Sequence, residues 1–131
     1  MKLVLDTNIY IDFAQGKRDA VDLLATRSTE ILLPSVVLGE LYYGFAKGNR
    51  STYNENKLRH FVTTLGVVVI AVDEEVARKY ALIFSALTVK GTRIPINDLW
   101  IAASCMSVGG TLVTRDRHFE QVEQIDKLLL T

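Results

Sequence analysis

Cysteine is nearly absent from this chain. Cys105 stands alone, so no internal disulfide can form, and a reducing, intracellular setting is the default expectation. Its neighbours Ala102, Ala103 and Met106 mark it as a small buried apolar side chain rather than a nucleophile. Histidine is almost as scarce. His60 and His118, with no paired cysteines, make a poor ligand set for zinc. An excess of one charge is missing too: 15 Lys and Arg stand against 15 Asp and Glu. That balance gives no reason of its own to expect nucleic acid, although basic residues can still gather locally. Long hydrophobic runs are also lacking. The longest, Val67 to Val72, falls far short of the roughly 20 residues that span a bilayer. Asp6 interrupts the first apolar run, which argues against a signal peptide. The expectation is a soluble cytoplasmic protein with no membrane partner. No repeat, low-complexity tract or linker divides the 131 residues, so residues 1–131 read as a single domain. That length can bury a core without metal or disulfide staples, and a hydrophobic content of 49% excludes global disorder.

What is present is an alternation of strand and helix signals. Lys2 to Leu5 reads as a short buried strand that stops at Asp6, and Asp6, Thr7 and Asn8 offer three caps for a helix ending at Gly16. A second helix runs from about Asp19 to Thr26. Glu30 to Leu33 is the next strand, closed by Pro34. Ser35 is placed to cap a helix that Gly48 stops. Residues 52–64 read as helical, with Leu58, Phe61, Val62 and Leu65 on one stripe. The β-branched run Val67 to Val72 predicts a buried central strand. Asp73, Glu74 and Glu75 put acids at the start of the following helix, which runs to about Thr88, with Val89 to Pro95 as a loop. Asn97 is placed to cap a helix to about Val108, ended by Gly109 and Gly110. Thr111 to Thr114 is a strand, Arg115 to Phe119 a loop, and the tail can add a last short strand. The pattern implies an α/β fold with a mainly parallel sheet in three layers. In such sheets, sites form at the carboxyl ends of the strands.

Four acids fall where that rule points. Asp6 ends the first strand and Asp116 follows the Thr111 to Thr114 strand, so both belong to one rim. The plain alternatives are a helix cap for Asp6 and a solvated loop acid for Asp116. Glu40 is more informative. At about 100° per residue its side chain shares a helix face with Val36, Val37, Tyr43 and Gly44. A carboxylate on an apolar face is costly unless it is paired or binds metal, and a buried Glu–Arg pair is the competing explanation. Asp98 sits in the first turn of its helix, where the helix dipole alone would favour an anion. Each acid by itself has an ordinary explanation. All four, however, are expected at one edge of one sheet.

Clustered carboxylates repel one another unless cations neutralise them. Hard oxygen ligands suit Mg²⁺ or Mn²⁺, and metal-assisted phosphodiester hydrolysis is the chemistry that uses such a set. On this reading Asp6 and Asp98 hold the principal metal ion, Asp116 helps to bind it or a second one, and Glu40 orients or deprotonates water. Asn8 and Thr114 can hold carboxylates or water by hydrogen bonds. Arg115, Arg117 and Lys90 are candidates to meet phosphates, against the plain alternative of solvated surface charge. His118 reads as a surface or packing residue more readily than as a substrate contact.

The segments Leu5-Asp6-Thr7-Asn8-Ile9, Ser35-Val36-Val37-Leu38-Gly39-Glu40-Leu41, Ile96-Asn97-Asp98-Leu99-Trp100-Ile101-Ala102-Ala103 and Leu112-Val113-Thr114-Arg115-Asp116 together resemble the PIN-domain family, and more narrowly its VapC-type toxins. The resemblance covers the whole chain, with each segment centred on an acid. It implies a PIN-like α/β/α sandwich and Mg²⁺- or Mn²⁺-dependent endoribonuclease cleavage of RNA, with Asp6, Glu40, Asp98 and Asp116 as the acidic quartet. It also implies a homodimer and a small VapB-type antitoxin that blocks the site and represses the shared operon. The helices around Leu38 to Phe45 and Leu58 to Leu65 are candidates for those contacts.

Other functions compete. A phosphohydrolase with an aspartyl nucleophile also begins with a strand and an Asp, but it needs a second acid two residues on, where this chain has Asn8. A non-catalytic RNA- or partner-binding module would not need all four acids. An RNA-processing or decay nuclease without an antitoxin stays open beside the toxin reading.

Overall fold

Leu3, Val4 and Leu5 have no exposed surface, because β1 (Lys2–Leu5) is paired on both edges and covered on both faces. A continuous apolar run is what such a position requires. The computed structural model describes residues 1–131. From β1 the chain forms α1 (Thr7–Ala14), α2 (Arg18–Arg27), β2 (Glu30–Pro34), α3 (Ser35–Lys47), α4 (Ser51–Thr64) and β3 (Val68–Ile70). It continues as α5 (Glu74–Lys90), α6 (Ile96–Val108), β4 (Thr111–Thr114), a 3-10 turn (Arg117–Gln121) and β5 (Asp126–Leu129). The strands make one five-stranded sheet in the order β3-β2-β1-β4-β5. Every pairing is parallel, and six helices flank the sheet. This is the expected α/β architecture.

The order has a functional consequence. The chain lays β2 and β3 on one side of β1, then returns to lay β4 and β5 on the other. The seam between β1 and β4 is therefore the topological switch point, where open α/β sheets leave a crevice beyond the strand ends. Register sets what lies there. Leu5 pairs with Val113, so the next step along the two strands brings Asp6 beside Thr114. Gly110 keeps the seam tight. A Cβ there would come within 2.8 Å of Val4 Cγ2 and 3.3 Å of the Lys2 carbonyl oxygen.

Buried side chains from both sides of the sheet join one core of 29 residues, with Phe119, Ile9, Ile83, Leu58 and Ile101 among the fully buried ones. Cys105 is buried within it. Burial pushes its thiol up to about 12, so it is inert.

Several local expectations are corrected. The run Val67 to Val72 is not a buried central strand. Only residues 68–70 pair, at the sheet edge, and Val68 and Val69 are 44% and 43% exposed. A β-branched run reports a preference for extended backbone but not a place in the strand order. Here α5 packs on α6 and leaves β3 partly open. Asn97 and Ser35 are not caps either. Pro95 and Pro34 precede the two helices, with no side-chain cap bond. Proline's fixed φ suits a helix start, and it frees Asn97 for another contact. Finally, α5 runs to Lys90, so the following loop is shorter than the residues 89–95 expected, and a 3-10 turn occupies part of the 115–119 loop.

Candidate active site

Asp6 is the pivot of the rim. It ends β1 and caps α1, accepting from the Thr7 backbone N–H at 2.8 Å through Oδ1. Its other oxygen, Oδ2, accepts from the Thr114 hydroxyl at 2.7 Å. Asp6 is only 7% exposed. Burial pushes its carboxyl up, the Thr114 and Thr7 hydrogen bonds hold it down, and nearby Glu40 and Asp116 push it up further. Thr114 is fully buried, and its hydroxyl oxygen also accepts from the Asp116 N–H at 3.0 Å. One hydroxyl thus ties Asp6 and Asp116 together.

Asp98 lies in the first turn of α6. Burial, then the charges of Asp6 and Asp116, raise its carboxyl from 3.8 to about 6, while His118 opposes the shift. Glu40 reaches the cluster from α3. Thr7 Oγ1 donates to its Oε1 at 2.5 Å, and Asn97 Nδ2 lies 3.4 Å from its Oε2. No arginine pairs with Glu40, so the Glu–Arg alternative is removed. The structure brings all four predicted acids to one place.

It also brings a residue whose role the sequence understated. His118 Nδ1 lies 3.0 Å from Asp116 Oδ1 and 3.4 Å from Asp98 Oδ2, and the His118 N–H donates to Asp116 Oδ1 at 2.9 Å. Asp98, Asp116 and His118 each offer a ligand atom, all within 4.8 Å of one another. The signal was the spacing. A carboxylate that caps a short turn returns the residue two positions later to its own side chain. Thr7 and Asn97 were also missed as donors to Glu40, because both were read only as helix caps.

The remaining candidates are placed differently. Asn8 is exposed and bonds none of the four acids. Arg115 is held by two other carboxylates: Nε donates to Asp12 Oδ2 at 2.6 Å and Nη2 to Asp19 Oδ1 at 2.8 Å. Those bonds push its pKa up. Arg117 is exposed and pairs with Glu120 at 3.0 Å. Lys90 donates to the Gln121 carbonyl at 2.9 Å.

The donor set fits a hard divalent cation. It is dominated by carboxylate oxygens, and burial, joined by the charges of the neighbouring acids, raises Asp6 and Asp98; a bound cation would favour their charged forms.

A parallel α/β sheet with acids gathered at its switch point defines a class. The family model described as PIN domain matches residues 3–125, and the chain belongs to that family. Ribonuclease VapC2 of Rickettsia felis is 31% identical over 134 residues, spanning 99% of this chain and 96% of that protein. Ribonuclease VapC5 of Mycobacterium tuberculosis is 28% identical, spanning 92% and 87%. Among solved structures, DNA-bound VapBC from Salmonella typhimurium superposes with a TM-score of 0.85 at 28% identity, covering 98% of this chain and 97% of that one. VapBC2 from Rickettsia felis, bound to a DNA fragment from its promoter, gives 0.83 at 28% identity, covering 98% of each chain.

Proposed function

We propose that this chain, acting as one domain over residues 1–131, is a divalent-metal-dependent endoribonuclease and the toxin of a VapBC-type toxin–antitoxin pair. The observation that carries the reading is the convergence of Asp6, Glu40, Asp98 and Asp116 at the β1–β4 seam of a PIN domain. Its relatives are named ribonucleases across nearly their whole length.

Asp6, Asp98 and Asp116 are the residues that would hold the cation, Mg²⁺ or Mn²⁺. Bound there, it would polarise the phosphate and lower the pKa of an attacking water. Glu40, fixed by Thr7, orients that water and takes its proton. Thr114 holds Asp6 and Asp116 in mutual register. Asn8, exposed at the start of α1, is available to substrate or water. Arg117 is exposed on the turn after Asp116 and can reach a phosphate by leaving Glu120. Arg115 supports the same loop from behind.

For partners, the reading implies an RNA substrate, a VapB-type antitoxin and a homodimer in the cytoplasm. On α3, Tyr42 and Tyr43 are 43% and 65% exposed, as the face of a partner-binding helix would be. On α4, by contrast, Leu58 and Phe61 are buried in the core.

The test is cleavage of a cellular RNA pool by the purified, partner-free chain, with Mg²⁺, with Mn²⁺ and with EDTA. Metal-dependent cutting that disappears in Asp6→Asn is expected. Cutting that survives in EDTA or in Asp6→Asn would overturn the assignment.

A further inference from the structure

Beside the acid cluster, a groove of about 450 Å³ runs between α1, α3 and α4. Glu40 is among the residues that line it. Gly44, one helical turn further along α3 on the same face, leaves its wall bare, and a Cβ built there meets nothing within 4 Å. The opposite wall is α4. There Tyr53 is 52% exposed, and the Arg50 guanidinium lies 4.1 Å from its ring centroid. Lys57 lines the same groove and donates to the Ala14 carbonyl at 2.7 Å. Tyr10 belongs to the α1 side.

We propose that this groove receives the unpaired nucleotide next to the scissile phosphate of RNA. The proposal rests on the ribonuclease reading above and extends it to how the substrate is held. Four observations favour a nucleotide. Glu40 lines the groove and also acts on Asp6 in the acid cluster, so the two share a side chain. An exposed aromatic ring faced by a guanidinium is a platform on which a base of any sequence can stack. Arg50 and Lys57 supply positive charge for the flanking phosphates in a chain with no net charge to spare. The volume suits one nucleotide, whereas a paired A-form helix is far too wide to enter. The substrate is thus single-stranded at the cut, and the groove holds its base by stacking rather than by reading its edge.

The experiment is equilibrium binding of fluorescently labelled oligo(U), oligo(A) and oligo(C) to the intact chain carrying Asp6→Asn, which removes cleavage from the readout. Tyr53→Ala and, separately, Gly44→Leu are added to that background. The leucine fills the groove from a helical position that tolerates a side chain. Affinity for each oligonucleotide is expected to fall by roughly ten-fold or more in either variant, the scale of losing one stacked base. Tyr53→Phe keeps the ring and recovers most of the affinity. In the cutting enzyme the same substitutions raise KM more than they lower kcat. Unchanged RNA affinity in both variants, with circular dichroism showing them folded, overturns the proposal. So does a loss confined to antitoxin binding, which would make the groove a protein-docking face. Failure of the ribonuclease reading would appear separately, as an intact chain that cuts no RNA with either metal.

Discussion

The hydroxyl of Thr114 donates to Asp6 Oδ2 at 2.7 Å and accepts from the Asp116 N–H at 3.0 Å, with no exposed surface of its own. A single buried oxygen therefore joins the ends of β1 and β4 and fixes two of the four acids. Thr114→Val keeps the shape and removes both bonds, leaving a buried carboxylate oxygen and an amide without partners. A loss of about 1–3 kcal/mol in urea denaturation is expected, together with weaker divalent-metal binding by calorimetry. Thr114→Ser should restore most of both. Equal stability of the valine variant and the wild type would mean that water replaces the hydroxyl.

Glu40→Gln separates catalysis from folding. Glutamine still accepts from the Thr7 hydroxyl but cannot take a proton. Cleavage should fall by about 10²–10⁴-fold, with the melting temperature unchanged and RNA affinity retained. If activity falls by less than ten-fold, Glu40 orients water without acting as the base.

The metal-free protein should lose stability as pH rises through the range in which Asp98 titrates. Its carboxyl titrates near 3.8 in the unfolded chain and is raised to about 6 in the fold. Between those values the native state holds a proton that the unfolded state has released, so stability falls as pH rises and levels off above about 6. Asp6 is displaced in the same direction. Asp19 is displaced downward and acts only below its ordinary range. After discounting for solvent screening of a partly exposed group, the change is about 1 kcal/mol. Denaturation in EDTA at several pH values measures it. Saturating Mg²⁺, which binds the deprotonated acids, should reverse the trend. A metal-free protein that instead gains stability from pH 4 to 6 would contradict this account of the cluster.

Asp12 is 7% exposed and depends on Arg115 Nε at 2.6 Å, with Lys17 further off at 3.5 Å. Arg115→Ala should cost about 3 kcal/mol by stranding that carboxylate. Arg115→Lys should rescue little, because one ammonium cannot serve both Asp12 and Asp19 in the forked geometry. Adding Asp12→Asn to Arg115→Ala should recover part of the loss in a double-mutant cycle. The exposed Arg117–Glu120 pair makes the contrast. Breaking it should change stability by less than about 1 kcal/mol.

Much of the fold was readable from local signals. The apolar run before Asp6, the acid on an apolar helix face at Glu40 and the strand leading to Asp116 are each legible within a few residues, and the parallel-sheet rule then places them at one rim. What local signals do not carry is the identity of a partner far along the chain. Val67 to Val72 announces a strand but not its place at the sheet edge. Asn97 has the chemistry of a cap and equally of an amide donor, and only the approach of α3 decides for Glu40. Arg115 looks like a free cation beside an acidic loop until α1 and α2 deliver Asp12 and Asp19. His118 looks like a surface residue until the turn after Asp116 folds it back.

The strand order also has a consequence for synthesis. Asp6 and Thr114 are 108 residues apart, and β4 enters the sheet beside β1 only after the other flank is built. While the chain is still emerging from the ribosome, β1 has one open edge and Asp6 lacks its Thr114 and Asp116 neighbours. The acid cluster therefore stays incomplete until β4 and the turn after it have been translated. A copy terminated before β4 lacks both Thr114 and Asp116, and leaves Asp6 with no partner across the seam.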